Sequence, residues 1–455
     1  MKKCLLLLVI VLCVSVFQVY AQSNPAMPAM PATPPTPPTP PMPPTPPMPP
    51  ALTDLSRIEK RSFSGIDKIR FEHSFGNITV TESDSEQIEL EIQYFEKEDV
   101  KPVCETSTTG GVLTVKTVYP QNRYEKKPKK SLLKTLRSIY VIEGGHVGQK
   151  GVKIDYIIAI PKNVAMKVDL RYGNVNMGDF YGDFNCDIDF GNLNAGTFFN
   201  SPVRIGGKYS KFKIDKAGSL IFSVNFGKLR INAADMLDLQ SRYTDYIIGK
   251  VGVMKSNCSF GNINIDSVEN LDAQSKYSNY KARKAGTMKA DCSFGNIRID
   301  SAGKLDVQSK YSNYTAGKVG TMKADCSFGN INIDSLEEFD AILKYAPTTL
   351  KNLDRKLNLE SSFSNIKINS ASVHLESFKF SGRYSPLKLS LDPDLSADFN
   401  AELKYGKLSI DDKYKFKYYL SEKESNRIVK KGTFGDKTPT VKIDAYSAFG
   451  NISIK

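Results

Sequence analysis

Cys104, Cys186, Cys258, Cys292 and Cys326 are the side chains of this chain best suited to nucleophilic, redox or metal chemistry. Three of them, Cys258, Cys292 and Cys326, recur at intervals of 34 residues, and so do the carboxylates Asp266, Asp300 and Asp334. Paired carboxylates cleave glycosidic bonds when one acts as acid and the other as base or nucleophile. Here Arg283 falls midway between the first two, and the arrangement repeats, whereas a catalytic centre is a singular break in a pattern. Asp187 and Asp189 in C-D-I-D-F-G share one face and could touch a cation, but the G-G-x-G-x-D signature of calcium-binding solenoids is missing. His73, His146 and His374 are dispersed and share no motif with a nucleophile or second ligand, so no metal site or triad is read from them.

The densest charge lies between Tyr119 and Lys150. Arg123, Lys126, Lys127, Lys129, Lys130, Lys134, Arg137 and Lys150 face only Glu125 and Glu143 there. Arg123, Lys126, Lys127, Lys129, Lys130, Lys134 and Arg137 form the candidate site for an anionic surface. Leu132, Leu136, Ile139 and Tyr140 have helical spacing and predict a short amphipathic helix. It would dock on the body of the protein or on an anionic polymer, lipopolysaccharide or membrane surface.

The elements that position these groups are set by a period of 17. Phe260, Phe294 and Phe328 lie in C-S-F-G-N-I-x-I-D-S, and Tyr243, Tyr277, Tyr311 and Tyr345 fall midway between them. Within a unit, Met288, Ala290, Cys292 and Phe294 share one parity against Lys289, Asp291 and Ser293, which is strand alternation. A strict repeat of this length predicts one supersecondary unit stacked on itself: a single-stranded right-handed parallel β-solenoid of about 17 residues per rung.

Stacking gives each column a role. Ile263 with Ile265 alternates with Tyr280 and Ala282, keeping core volume even. Asp238, Lys255, Asp272, Lys289, Asp306, Lys323 and Asp340 alternate in sign outside. Asn262, Asn279, Asn296, Asn313 and Asn330 form a predicted ladder at a corner, with asparagine taking the left-handed bend. The three periodic cysteines sit about 9.6 Å apart on alternate rungs, too far for a disulfide, and are predicted to be buried free thiols. Whether Cys104 and Cys186 pair stays open. The aromatic marker continues, less regularly, through Tyr172, Phe190, Tyr209 and Phe226 before the block and Phe363, Tyr384 and Tyr405 after it. That makes fourteen turns, with isolated F-G-N-I units at Phe75 and Phe449.

The ends set the compartment. Residues 1–21, with Lys2, Lys3 and an apolar run from Leu5 to Phe17, read as a cleaved signal peptide. Its removal leaves 60 basic against 49 acidic side chains, +11, too modest to argue for nucleic acid. Residues 22–51 are a proline-rich linker, in which 15 of the 27 residues from Asn24 to Pro50 are proline, a stalk reaching roughly 80 Å as polyproline II. Residues 52–168 then hold irregular rungs and a cap with the basic insertion at 119–150, 169–410 the regular solenoid, and 411–455 the last rungs and cap. No later apolar run approaches the ~18 residues of a membrane helix.

I-I-A-I-P-K-N at Ile157 to Asn163, R-Y-G-N-V at Arg171 to Val175 and the serial F-G-N-I turns resemble the putative-adhesin family of exported bacterial β-solenoid proteins, over roughly residues 58–455. The resemblance implies surface adhesion, with no defined binding residues; the signal peptide leaves the periplasm, the cell surface and the extracellular space as expected locations. The expectation is therefore an exported non-enzymatic solenoid, an adhesin or cell-envelope component. It would be monomeric, need no cofactor, and meet an unknown surface, glycan or envelope component. A polysaccharide lyase or hydrolase on the same fold is the alternative.

Overall fold

The computed structural model describes residues 54–97, 101–119, 152–200 and 202–455, and the backbone of Ile139–Ile142 and His146–Gln149. The segments expected to form a signal peptide and a proline-rich linker, residues 1–21 and 22–51, lie outside the described residues.

The repeat folds as a parallel β-solenoid. Nine consecutive strands, from Lys211–Asn225 to Thr348–Ser362, each pair in parallel with the next. Within the strict block the offset is 17: Ile263 faces Tyr280, which faces Ile297, which faces Tyr314. A strand of 15 residues is long for one straight element, and the burial pattern shows where it bends. In Asn262–Lys276, alternation is broken at Asp266–Ser267 and at Glu269–Asn270, where two neighbours face outward. The chain therefore folds around a core of Ile263, Ile265, Val268, Leu271 and Ala273. Hydrogen bonds between rungs satisfy the backbone, and the apolar columns bury the interior, so neither term depends on a single residue.

The core alternation is present as expected: Ile263 and Ile265 stack on Tyr280 and Ala282, all buried. The outer column also keeps register from Asp238 to Asp340. None of the opposite charges in this described column closes to an ion pair, so it fixes register only weakly.

Both ends stop the parallel stack with antiparallel strands. At the start, Ile88–Phe95 lies between Arg57–Phe63 and Lys153–Ile160, antiparallel to both. Val103–Thr109 pairs antiparallel with Val112–Val118, beside Lys68–Ser74. At the far end Arg427–Phe434 and Lys417–Lys423 extend from Ala397–Lys404 in antiparallel order. The outermost strands are rich in charge, which discourages further pairing of an open edge.

The order of the last rungs departs from chain order. Val441–Ala448 inserts between Ser377–Arg383 and Ala397–Lys404, parallel to both. The expected helix is also corrected where it is visible: Ile139–Ile142 is a strand paired antiparallel with His146–Gln149, because a β-branched run separated by Glu143-Gly-Gly favours a hairpin. Among the described residues no helix is long and apolar enough to cross a membrane.

Candidate functional site: the aromatic corner

Among the described residues, sixteen phenylalanines and tyrosines, at one corner of each rung, adopt φ between 52° and 60°. This corrects the expectation that asparagine makes the bend. The asparagine comes two residues later, at the start of the next strand, where its side chain is free to ladder. Asn279 Nδ2 donates to Asn262 Oδ1 at 3.1 Å, and Asn296, Asn313 and Asn330 continue the chain at 3.0, 3.0 and 3.2 Å.

A left-handed backbone on a bulky residue costs roughly 1–2 kcal/mol, so something must offset it sixteen times. The offset is mutual stacking. Centroids of Tyr277 and Phe294 lie 4.9 Å apart, as do those of Phe294 and Tyr311, with planes 18° and 13° from parallel. Aromatic pairs at such distances contribute about 0.5–1.5 kcal/mol beyond area burial. The corner rings are therefore not core, as simple alternation implies, but a half-exposed ladder along one edge.

The ladder absorbs both isolated units. Phe75 stacks on Tyr172 at 5.1 Å, and Phe449 lies between Tyr384, at 4.7 Å, and Tyr405, at 4.8 Å. Fourteen expected turns thus become sixteen corners, and Tyr384 does not neighbour Tyr405. A signal for this was available: phenylalanine and tyrosine alternate along the whole ladder, and chain order alone would put two tyrosines together there.

The residue directly after each aromatic explains why the period is 34. After Phe294 comes Gly295, and a Cβ there would lie 2.1 Å from the Ser278 carbonyl oxygen. After Tyr311 comes Ser312, buried, whose hydroxyl donates to the Cys292 carbonyl at 3.1 Å and accepts from the Gly295 N–H at 3.3 Å. From Tyr243 to Phe328 the rungs alternate in this way, with glycine after each phenylalanine and the hydroxyl of Thr244, Ser278 or Ser312 after each tyrosine; Ala346 after Tyr345 ends the pattern.

Each tyrosine rung also carries a cation. Lys276 Nζ lies 5.7 Å from the Tyr277 ring, Lys310 Nζ 5.6 Å from Tyr311 and the Arg383 guanidinium 6.0 Å from Tyr384. These are weak cation–π contacts at exposed sites, so the charges stay available to solvent. Beyond the corner, Lys281, Arg298, Lys367 and Lys388 add exposed charge.

The cysteines and two of the three aspartates singled out by spacing, Asp266 and Asp334, have structural partners, whereas Asp300 is exposed. Cys258, Cys292 and Cys326 are free and buried in one column, with Ser275 and Ser309 between them in register. Ser275 and Ser309 Oγ donate to Cys292 and Cys326 Sγ at 3.1 and 3.2 Å. Burial pushes both thiols up to about 11, which leaves them unreactive at neutral pH. Cys104 and Cys186 are free as well, so the bridge left open between them is not formed. Asp266 is paired with Arg283 at 2.6 Å and Asp334 with Lys351 at 2.6 Å. Asp187 lies in register with Asp169, and burial together with Asp189 and Asp169 raises its carboxyl. Among the described residues no group of three or more His, Cys, Asp or Glu is arranged to hold a metal. Arg123, Lys126, Lys127, Lys129, Lys130, Lys134 and Arg137 lie outside the described residues.

His73 is deeply buried at the N-terminal end. Its Nδ1 is 2.7 Å from Thr117 Oγ1, which is 2.7 Å from the Tyr156 hydroxyl, and the Tyr156 ring packs edge-on to the imidazole. Burial lowers its pKa to about 3, so it is neutral and structural. A shallow groove crosses the outer face of the irregular last rungs, lined by Glu360, Lys379, Asn400, Glu402, Asp444 and Tyr446. Two of its three acids are engaged: Glu402 by Arg427 at 2.9 Å, Asp444 by Lys442 at 3.1 Å.

Fold and corner together define a parallel β-solenoid with an exposed aromatic ladder. No protein-family model matches the chain, and no curated protein matches it in sequence. Solved structures similar to it include a putative cell adhesion protein from Clostridium sporogenes (9% identity, 88% of this chain and 98% of that chain covered, TM-score 0.17). Others are putative adhesins from Parabacteroides merdae (13% identity, 65% and 95% covered, TM-score 0.20) and Bacteroides fragilis (14% identity, 66% and 100% covered, TM-score 0.20). At these TM-scores the likenesses carry no argument.

Proposed function

We propose that the chain is an exported, non-enzymatic β-solenoid that serves as an adhesive or structural surface in the cell envelope. The observation that carries this reading is the ladder, a single surface feature repeated through sixteen corners. Repetition of one weak contact along a rigid rod suits multivalent attachment to a repetitive partner, since linked weak contacts gain strongly from one another. Catalysis needs the opposite, one place where the pattern breaks and free groups converge.

The groove at the last rungs favours a second reading, a polysaccharide-active enzyme, because it lies where the period fails. With Glu402 and Asp444 held by Arg427 and Lys442, a pair of free carboxylates is lacking there. The basic insertion, Arg123 to Arg137, remains a candidate contact with an anionic surface.

The test combines location and turnover. Cells producing the full chain are treated with an impermeant protease, and the purified protein is incubated with acidic and neutral glycans. Removal of the protein from intact cells, with glycan retention but no cleavage, is expected. Release of reducing or unsaturated sugar ends would establish the enzyme instead.

A further inference from the structure

We propose that the basic side of the aromatic corner binds a linear anionic polysaccharide carrying a carboxylate on alternate sugar rings. The proposal rests on the adhesive reading and names the ligand class of that surface.

Its first support is a rule that runs the length of the rod. Each of the eight corner tyrosines directly succeeds a lysine or arginine, as Lys276 precedes Tyr277 and Arg383 precedes Tyr384, and none of the eight corner phenylalanines does. Core packing does not ask for this, because these cations are exposed. The rule holds even at Lys404–Tyr405, beyond the inserted Phe449 rung.

The spacing selects the ligand. Lys276, Lys310 and Lys344 sit on alternate rungs, and two stacking steps of 4.9 Å put successive cations about 9.8 Å apart. That is comparable to the length of two pyranose rings in an extended polysaccharide chain. The phosphates of a nucleic acid duplex come about every 3.4 Å along each strand and would leave most of their charge unmatched. A membrane would need a continuous basic face, whereas the charges beyond the corner, Lys281 and Arg298 among them, are interrupted by Asp266, Asp300 and Asp334.

The ladder adds a second complementarity. Its rings are paired face to face, so they offer their edges outward, the positive part of the aromatic quadrupole. Among the described residues, no hydroxyl of Tyr243, Tyr277, Tyr311 or Tyr345 is engaged within the chain, leaving a donor beside each cation. A second lysine column of equal spacing, Lys250, Lys284 and Lys318, lacks these features. Acids lie beside both columns, Asp291 and Asp325 near the corner lysines and Asp266, Glu269 and Asp300 here, but this column has no aromatics.

That column supplies the control. Binding of hyaluronate, which carries a carboxylate on alternate rings, is measured by calorimetry at low and moderate salt. The proteins compared are the full mature chain, K276Q/K310Q/K344Q and K250Q/K284Q/K318Q, which lose equal charge. The corner variant should bind at least tenfold more weakly with unchanged melting temperature, and K276R/K310R/K344R should restore binding. The control variant and a neutral chitin oligosaccharide should show little change and little binding respectively. Equal losses in the two triple variants, or tight hyaluronate binding that survives the corner substitutions, would overturn the assignment while leaving the adhesive reading in place. Cleavage of the glycan would overturn that reading instead.

Discussion

Phe294 and Tyr311 stack with centroids 4.9 Å apart and planes 13° from parallel, although both carry φ of 58°, a conformation bulky side chains avoid. Each ring lends the next the energy that its own backbone lacks. Such an arrangement cannot be built one residue at a time, and it makes the corner cooperative across rungs.

A pair of substitutions separates backbone strain from stacking. Phe294→Ala keeps the left-handed residue but loses two stacked neighbours, and should destabilise by about 2 kcal/mol. Phe294→Gly loses the same contacts but relieves the backbone, recovering about 1 kcal/mol. Urea titration, with hydrogen exchange to localise the effect, should rank glycine at or above alanine. A clear advantage for alanine would mean that the corner is not strained.

The glycine and serine next to the aromatics should not be interchangeable. Gly295→Ala forces a methyl to 2.1 Å from the Ser278 carbonyl and should cost at least about 2 kcal/mol. Ser312→Ala removes a hydroxyl bonded at 3.1 and 3.3 Å and should cost about 1–3 kcal/mol. If Gly295→Ala melts like the parent protein, the alternation has another cause.

His73 should make the N-terminal end sensitive to acid. Its pKa is about 3 when folded against an ordinary value of 6.5, so between those limits the unfolded chain binds the extra proton. Stability from this group is therefore complete above about pH 6.5 and lost as pH falls toward 3. At about 1.4 kcal/mol per pH unit, the loss between pH 7 and 4.5 is on the order of 2–3 kcal/mol. Denaturant titrations at the two pH values should show that difference in the parent and a much smaller one in His73→Gln. The same pH slope in both proteins would remove His73 from the account.

The thiols supply a check on register. Native protein at pH 8 should resist alkylation at Cys258, Cys292 and Cys326, since all are buried and burial raises Cys292 and Cys326 to about 11. Denaturation without a reductant should expose all three to labelling in intact-mass measurements. A thiol that labels only after reduction would contradict the column.

The periodic block was readable because every rung meets the same surroundings. Ile263 facing Tyr280, and Cys258, Cys292 and Cys326 on alternate rungs, come from adding 17 to a residue number. The corner was misassigned for a physical reason. Asparagine is a common left-handed residue and phenylalanine is not, and a single-residue propensity takes no account of neighbours 17 positions away that make the unfavourable choice worthwhile. His73 was unreadable because Thr117 and Tyr156, which hold it, lie 44 and 83 positions away in an aperiodic region.

By itself, the sequence determined the solenoid, its 34-residue double rung, the free thiols and the inward and outward columns, because a repeat carries its own long-range contacts as local spacing. Only the tertiary structure decided where repetition stops. It put Phe449 between Tyr384 and Tyr405, capped both ends with antiparallel strands, and drew scattered Lys-Tyr and Arg-Tyr pairs into one strip. Those contacts join segments of unlike sequence, and hydrogen bonding and burial, rather than any period, select among them.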